Sequence, residues 1–239
     1  MKTTLLIHTA VLTTLATARG AAIYTAGHGD IGIAYEGGAL EPHVHIHDGS
    51  IVDGVPVNNP PDGEEYDPGD ILIFVSNPSV PRPAGAQWDF IGVSAAAPIW
   101  YLPQTEDPAK PWLGIASEEL DPGDWTGPLT ITLTGASGPG AFSLYDTDTF
   151  GTPTVRMATG DGISGADFIN HVAGSHYHGN YTFTEPGIYE LTFLIAGIHN
   201  VDGAVSASAT YTFGVTVPEP GSAALGLLAG AMLLRRRCR

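Results

Sequence analysis

The sequence predicts an all-β protein, an antiparallel β-sandwich, with an N-terminal signal helix and a C-terminal hydrophobic sorting helix at its ends. Three observations predict it. Glycine (31) and proline (19) make up about a fifth of the 239 residues without a collagen period, which favours turns over long helices. Short runs rich in β-branched and aromatic residues recur between turn signals. Before the C-terminal tail no window carries a sustained 3.6-residue apolar period.

Taken in order, MKTTLLIHTAVLTTLATARGAA has a basic start, a short apolar stretch interrupted by His8 and several threonines, and small residues near Ala18 and Gly20. It reads as a signal peptide over residues 1–20 and implies export. A β domain is expected over residues 24–217. Its strand-like runs are DIGIAYE, PHVHIH, DILIFV, WDFIGV, PIWYL, LTITLTG, AFSLYD, TVRMAT, YTFTE, GIYELTFLIAG and SASATYTFGV. The turns between them are signalled by Asp67-Pro68-Gly69-Asp70, Asp121-Pro122-Gly123-Asp124, Gly138-Pro139-Gly140 and Glu185-Pro186-Gly187. NNPPDGEEY, residues 58–66, reads as an exposed loop. The tail, residues 218–239, joins Pro218-Glu219-Pro220 to a 13-residue apolar run and an arginine cluster. That run is shorter than the roughly 20 residues a spanning helix needs. Arg235, Arg236 and Arg237 would hold its end at the cytoplasmic face, giving a transient membrane contact.

Charge is lopsided. Residues 20–217 hold three basic side chains (Arg82, Lys110, Arg156) against 24 acidic ones, a net of −21 with histidines neutral. Such a body repels nucleic acid and anionic lipid and attracts cations, although acidity also serves simply to keep an exported protein soluble. The single cysteine, Cys238, lies in the tail, so the body has no disulfide and depends on its core.

EPHVHIHDG places three of the nine histidines at alternate positions. On a strand His43, His45 and His47 share one face and Val44 and Ile46 the other. SHYHGN repeats the spacing with His176 and His178, and His28 and Asp30 stand in GHGD before the first strand-like run. Imidazoles at i and i+2 have Cα atoms about 6.6–6.8 Å apart, within reach of one ion at Zn–N distances of ~2.0–2.1 Å. Two such arms brought together in a sandwich would supply up to four nitrogens, with His28 and Asp30 completing or orienting the set. The alternative is a solvated strand face or a local hydrogen-bond network. Nitrogen donors favour zinc or copper. Calcium at Asp62/Glu64/Glu65/Asp67/Asp70 or Asp146/Asp148 is less favoured, since those carboxylates lack an EF-hand spacing.

Other motifs carry less. GHGDIG fits G-x-G-x-x-G but precedes a strand with no helix after it, the wrong order for a dinucleotide. Glu118 and Glu119 are adjacent, and on a strand they would face opposite ways, so paired acid–base work is not indicated. Ser164 lacks a nucleophile-elbow pattern, and no catalytic residue is assigned. Trp88, Trp100, Trp112 and Trp125 can stack on sugars, but core packing is their default role. His-Val-His is similar to copper/zinc superoxide dismutase over those histidines alone, with no cysteine pair or matching arginine motif. A blue-copper site needs a thiolate that the body lacks.

Two resemblances add to this. VPEPGSAALGLLAGAMLLRRRCR resembles a PEP-CTERM sorting signal, which implies an exosortase as processing partner and a Gram-negative-type bacterium that exports polysaccharide. GHGDIGIAYEGGALEPHVHIHDG, RPAGAQWDFIGVSAAAPIWYLPQTEDPAKPWLGIASEEL, SGPGAFSLYDTDTFGTPTVRMATGDGI and AGSHYHGNYTFTEPGIYELTF resemble the choice-of-anchor M domain of bacterial surface proteins. The second half is similar to the surface-anchored repeat of actinobacterial wall proteins. That likeness implies a cell-surface or extracellular-matrix protein without established catalysis, associated with a metal-transport system. His28, Asp30, His43, His45, His176 and His178 fall within the likeness, and His47 is an addition. The reading is therefore a secreted, exosortase-processed binding protein for a divalent transition metal, not an enzyme. A structural or adhesive component of the biofilm matrix, and a metal-dependent enzyme, are the alternatives.

Overall fold

The computed structural model describes residues 20–216, so the expected sorting tail, and the signal segment apart from Gly20, lie outside the described residues. The chain runs through β1 (Ala22–Glu36), β2 (Ala39–Ile46), β3 (Ile51–Val52), β4 (Val55–Pro56), β5 (Glu64–Tyr66), β6 (Ile71–Val75) and β7 (Val80–Pro81). A 3-10 helix (Ala86–Ile91) precedes β8 (Pro98–Leu102) and β9 (Pro111–Ala116), and a single 3-10 turn (Pro122–Asp124) leads to β10 (Leu129–Ser137). Then come β11 (Phe142–Thr147), β12 (Pro153–Ala158), β13 (Phe168–His171), β14 (His176–His178), β15 (Asn180–Phe183), β16 (Gly187–His199) and β17 (Gly203–Val215).

The all-β expectation holds, and the strands form a twelve-stranded and a five-stranded sheet. Alternation builds the core between them. Tyr189, Leu191, Phe193 and Ile195 of β16, and Ile131 and Leu133 of β10, point inward at 1% exposure or less. Phe213 of β17 meets Phe183 of the other sheet with ring centroids 5.2 Å apart.

Pairing is mixed rather than purely antiparallel. β1 runs parallel to both β6 and β9, and β17 runs parallel to β6. Long crossovers separate these partners in sequence, and a parallel pair needs such a connection. β1 serves two sheet regions. Residues Ala22 to Tyr24 pair with β6, and after an irregularity near Ala26 residues 27–36 pair with β9 and β2. Gly27, at φ +90°, lies at that passage, with Ser50 against the place a Cβ would take.

Two local expectations are corrected. WDFIGV contributes to a 3-10 helix, not a strand. Trp88 and Ile91, three residues apart, bury the same side, and Gly92 in the left-handed region closes the turn onto the Asp89 carbonyl. Residues 58–66 are not all loop, because Glu64–Tyr66 forms β5 on the edge of β2. Gly63, at φ +71°, permits the approach, since a Cβ there would collide with the Ile46 carbonyl. The turn signals hold. Asp70 N–H donates to the Asp67 carbonyl at 2.9 Å, and Asp124 N–H to that of Asp121 at 3.0 Å.

Candidate metal centre

Five strands, in the order β5-β2-β1-β9-β14, form the surface that carries the histidines. Register partners project from the same side of a sheet. One cross-strand row therefore reads Glu65, His45, Asp30, Gly114, His178, and the next reads His43, Gly32, Ala116, His176. His28 pairs with Trp112 one step earlier, and the His47 N–H donates to the His28 carbonyl at 3.0 Å. All six clustered histidines thus share one face. Ile31, Ile33, Val44, Ile46, Leu113 and Ile115 occupy the other at 1% exposure or less, as the alternation predicted for Val44 and Ile46.

Asp30 is the centre of this face and is buried. Its Oδ1 accepts from His176 Nε2 at 2.8 Å and its Oδ2 from His47 Nε2 at 2.8 Å. His28 Nε2 lies 3.4 Å from Oδ2 and 3.3 Å from His176 Nε2. Burial alone would raise the Asp30 carboxyl, but the bonds from His176, His28 and His47 overcome it and hold the group well below the usual carboxylate range. The bond to Asp30 in turn raises His176, against the effect of burial. His178 behaves oppositely, because burial pushes it down to about 4. Its ring stacks on Trp112 at 3.9 Å, and both its ring nitrogens are buried without a hydrogen-bond partner.

His28, Asp30, His176 and His178 each offer a donor atom, all within 4.8 Å of one another, a group able to hold a metal ion. Three features of this chain fit a metal. The unpartnered His178 is neutral and aimed into the group, where an orphaned buried nitrogen costs free energy unless it finds an electrophile. Gly114 leaves the space, since a Cβ there would overlap Asp30 Oδ1 and stand 2.7 Å from His176 Nε2. His176 turns its other nitrogen, Nδ1, toward Glu118 Oε1 at 3.4 Å, an arrangement that orients metal-bound imidazoles.

Local architecture holds these donors. Tyr177, between the two histidines of β14, points to the opposite side and donates to Asp146 Oδ1 at 2.6 Å, and the same carboxylate accepts from Arg156 Nε at 2.7 Å. The turn bearing Glu118 is fastened to the loop before β14 by Ser117 N–H to the Ser175 carbonyl (3.0 Å) and Gly174 N–H to the Ser117 carbonyl (2.9 Å).

The expected single site built from both His-X-His arms is not what the structure assembles. His43 and His45 group instead with Glu65 and Glu119, again within 4.8 Å, and His47 alone of the first arm bonds to Asp30. The cause is strand order. β2 and β14 lie on opposite sides of β1 and β9, so the two arms flank the face rather than converge. Sequence reasoning gave Glu65 only a disfavoured calcium role, set Glu118 and Glu119 aside and assigned Trp112 by default to the core, so it placed none of them beside the histidines. For Trp112 the i, i+2 spacing with Gly114 and Ala116 was the one available signal, and the glutamates had none. His171 lies outside both groups, its Nε2 donating to the Ser175 carbonyl at 3.1 Å. Trp88, Trp100 and Trp125 are core residues.

No protein-family model, curated protein or solved structure matches this chain.

Proposed function

We propose that this chain is an exported bacterial surface or matrix protein that binds a divalent transition metal through His28, Asp30, His176 and His178. The observation that carries the metal reading is His178, a neutral imidazole with no hydrogen-bond partner, set beside a buried carboxylate and a second imidazole across the gap at Gly114. Three nitrogens and one oxygen favour zinc or copper over calcium. Export and anchoring are supported by the patterns of residues 1–20 and 218–239. Exosortase is the processing partner under this reading, and extracellular polysaccharide or a metal-transport system the working partner.

Protein purified without added metal, dialysed against zinc and then against metal-free buffer, should retain stoichiometric zinc. Asp30→Asn with His178→Gln should lose the zinc bound at this centre. Undiminished zinc retention in that double variant would overturn the reading. A matrix protein without metal is the second reading, favoured by the three histidines that already gather on Asp30. It predicts no retained ion in the unaltered protein.

A further inference from the structure

We infer that the same sheet face holds a second, harder divalent-cation site formed by His43, His45, Glu65 and Glu119. It goes beyond the centre at Asp30 and stands on different ligands.

Tautomers argue for it first. His43 Nδ1 lies 3.1 Å from the Glu41 carbonyl, which only accepts, so Nδ1 is the donor there. His43 Nε2 is buried, makes no hydrogen bond and stands 3.1 Å from Glu119 Oε1, itself an acceptor only. That contact needs a positive charge, supplied by a proton on Nε2 or by a cation, and an approach of 3.1 Å that forms no hydrogen bond suits a cation held by both atoms. His45 is fixed through the opposite nitrogen, with Nε2 donating to the Asp62 carbonyl at 2.8 Å and Nδ1 left open as the ligand atom. Each imidazole is thus fixed by a backbone acceptor on one nitrogen and open on the other, as metal-bound histidines are.

The backbone makes room for this arrangement. Gly32 is the register partner of His43, and a Cβ there would stand 2.6 Å from His43 Cδ2. Glu65 is the register partner of His45, so β5, the segment expected to be loop, delivers a carboxylate to the group. Glu119 comes from the turn after β9, and its neighbour Glu118 faces His176 at the first centre. Adjacent carboxylates on one turn thereby serve two donor sets. Two imidazoles and two carboxylates make this site more oxygen-rich than the first, suited to a first-row divalent cation that accepts mixed ligands.

The test is zinc stoichiometry by equilibrium dialysis and elemental analysis. The unaltered protein should bind two equivalents. Glu65→Gln with Glu119→Gln should bind one. Both glutamates are exposed, so the pair should leave the thermal melt unchanged and any loss of zinc is a loss of ligands. Asp30→Asn with His178→Gln should also bind one, and the four changes together none. One equivalent in the unaltered protein, indifferent to the glutamate changes but lost with Asp30 and His178, overturns the second site and leaves the first. One equivalent lost with the glutamates alone overturns the first and leaves the second. A single equivalent lost in either pair means one shared site and overturns the inference, as does the absence of bound zinc.

Discussion

Asp30 and Gly114 are register partners on adjacent parallel strands, and the Asp30 carboxylate occupies the space that a Cβ on residue 114 would take. Gly114→Ala should therefore disturb the donor group rather than the core. Overpacking of this kind costs about 1–3 kcal/mol, and displaced ligands lower metal affinity by roughly 10–100-fold. Gly165→Ala, with open space around it and an ordinary backbone conformation, is the control and should change neither. Isothermal zinc titration and thermal melting of both variants check this.

Asp30→Asn removes the charge that three imidazoles share. In metal-free protein the raised His176 should move back toward the ordinary histidine value of about 6.5, because its principal cause is the bond to Asp30. Imidazole proton shifts followed by NMR across pH 4–9 give the answer. A His176 titration unchanged by the substitution would refute the assignment.

Acid should destabilise the metal-free fold through His178. The folded ring, held down to about 4, stays neutral where the unfolded ring takes up a proton below about 6.5. Its contribution to stability is complete above about pH 6.5 and is lost as pH falls toward 4. His176, raised in the fold, has the opposite sign, contributing below about 6.5 and fading as pH rises through its folded value. Allowing for solvent screening of the half-buried ring, the His178 term is on the order of 1 kcal/mol. Chelator-treated His178→Leu should show a shallower loss of denaturation midpoint between pH 6.5 and 4 than the unaltered protein.

Tyr177→Phe should loosen β14 without touching a ligand. Losing its bond to Asp146 costs about 0.5–1.5 kcal/mol, somewhat more where the acceptor is charged. Zinc affinity should fall severalfold with stoichiometry unchanged. Loss of a whole equivalent would mean that Tyr177 matters to the site in another way.

Processing is tested at the other end of the chain. Under the exosortase proposal, Glu219→Ala should leave unprocessed protein in the inner membrane, and mature surface protein should end near Pro218 to Pro220. Mass spectrometry of surface material that found the intact RRRCR terminus would count against it.

Much of the fold was legible because alternation is local. Val44 and Ile46 inward and His43 and His45 outward follow from a period of two, and the Asp-Pro-Gly-Asp turns follow from turn chemistry. What the sequence does not carry is which strands meet. His28 lies beside Trp112, and Asp30 beside Gly114, through a parallel pairing of segments more than eighty residues apart, for which no short-range pattern exists. Glu118 and Glu119 were set aside because neighbours diverge. They do diverge, toward separate histidines. WDFIGV misled because its aromatic and β-branched composition suits a strand, whereas Trp88 and Ile91, three residues apart, share a face only in a 3-10 turn.

β14 is three residues long and is aligned on β9 through His176 with Ala116 and His178 with Gly114. A slip of one position would turn both imidazoles toward the hydrocarbon side and leave Tyr177 among the donors. A cation that binds only the correct alignment draws the population toward it by mass action. Ion supply would then act as a proofreader of chain threading. Zinc would then add to the hold that the Tyr177–Asp146 bond and the Ser117 backbone bonds already place on that alignment.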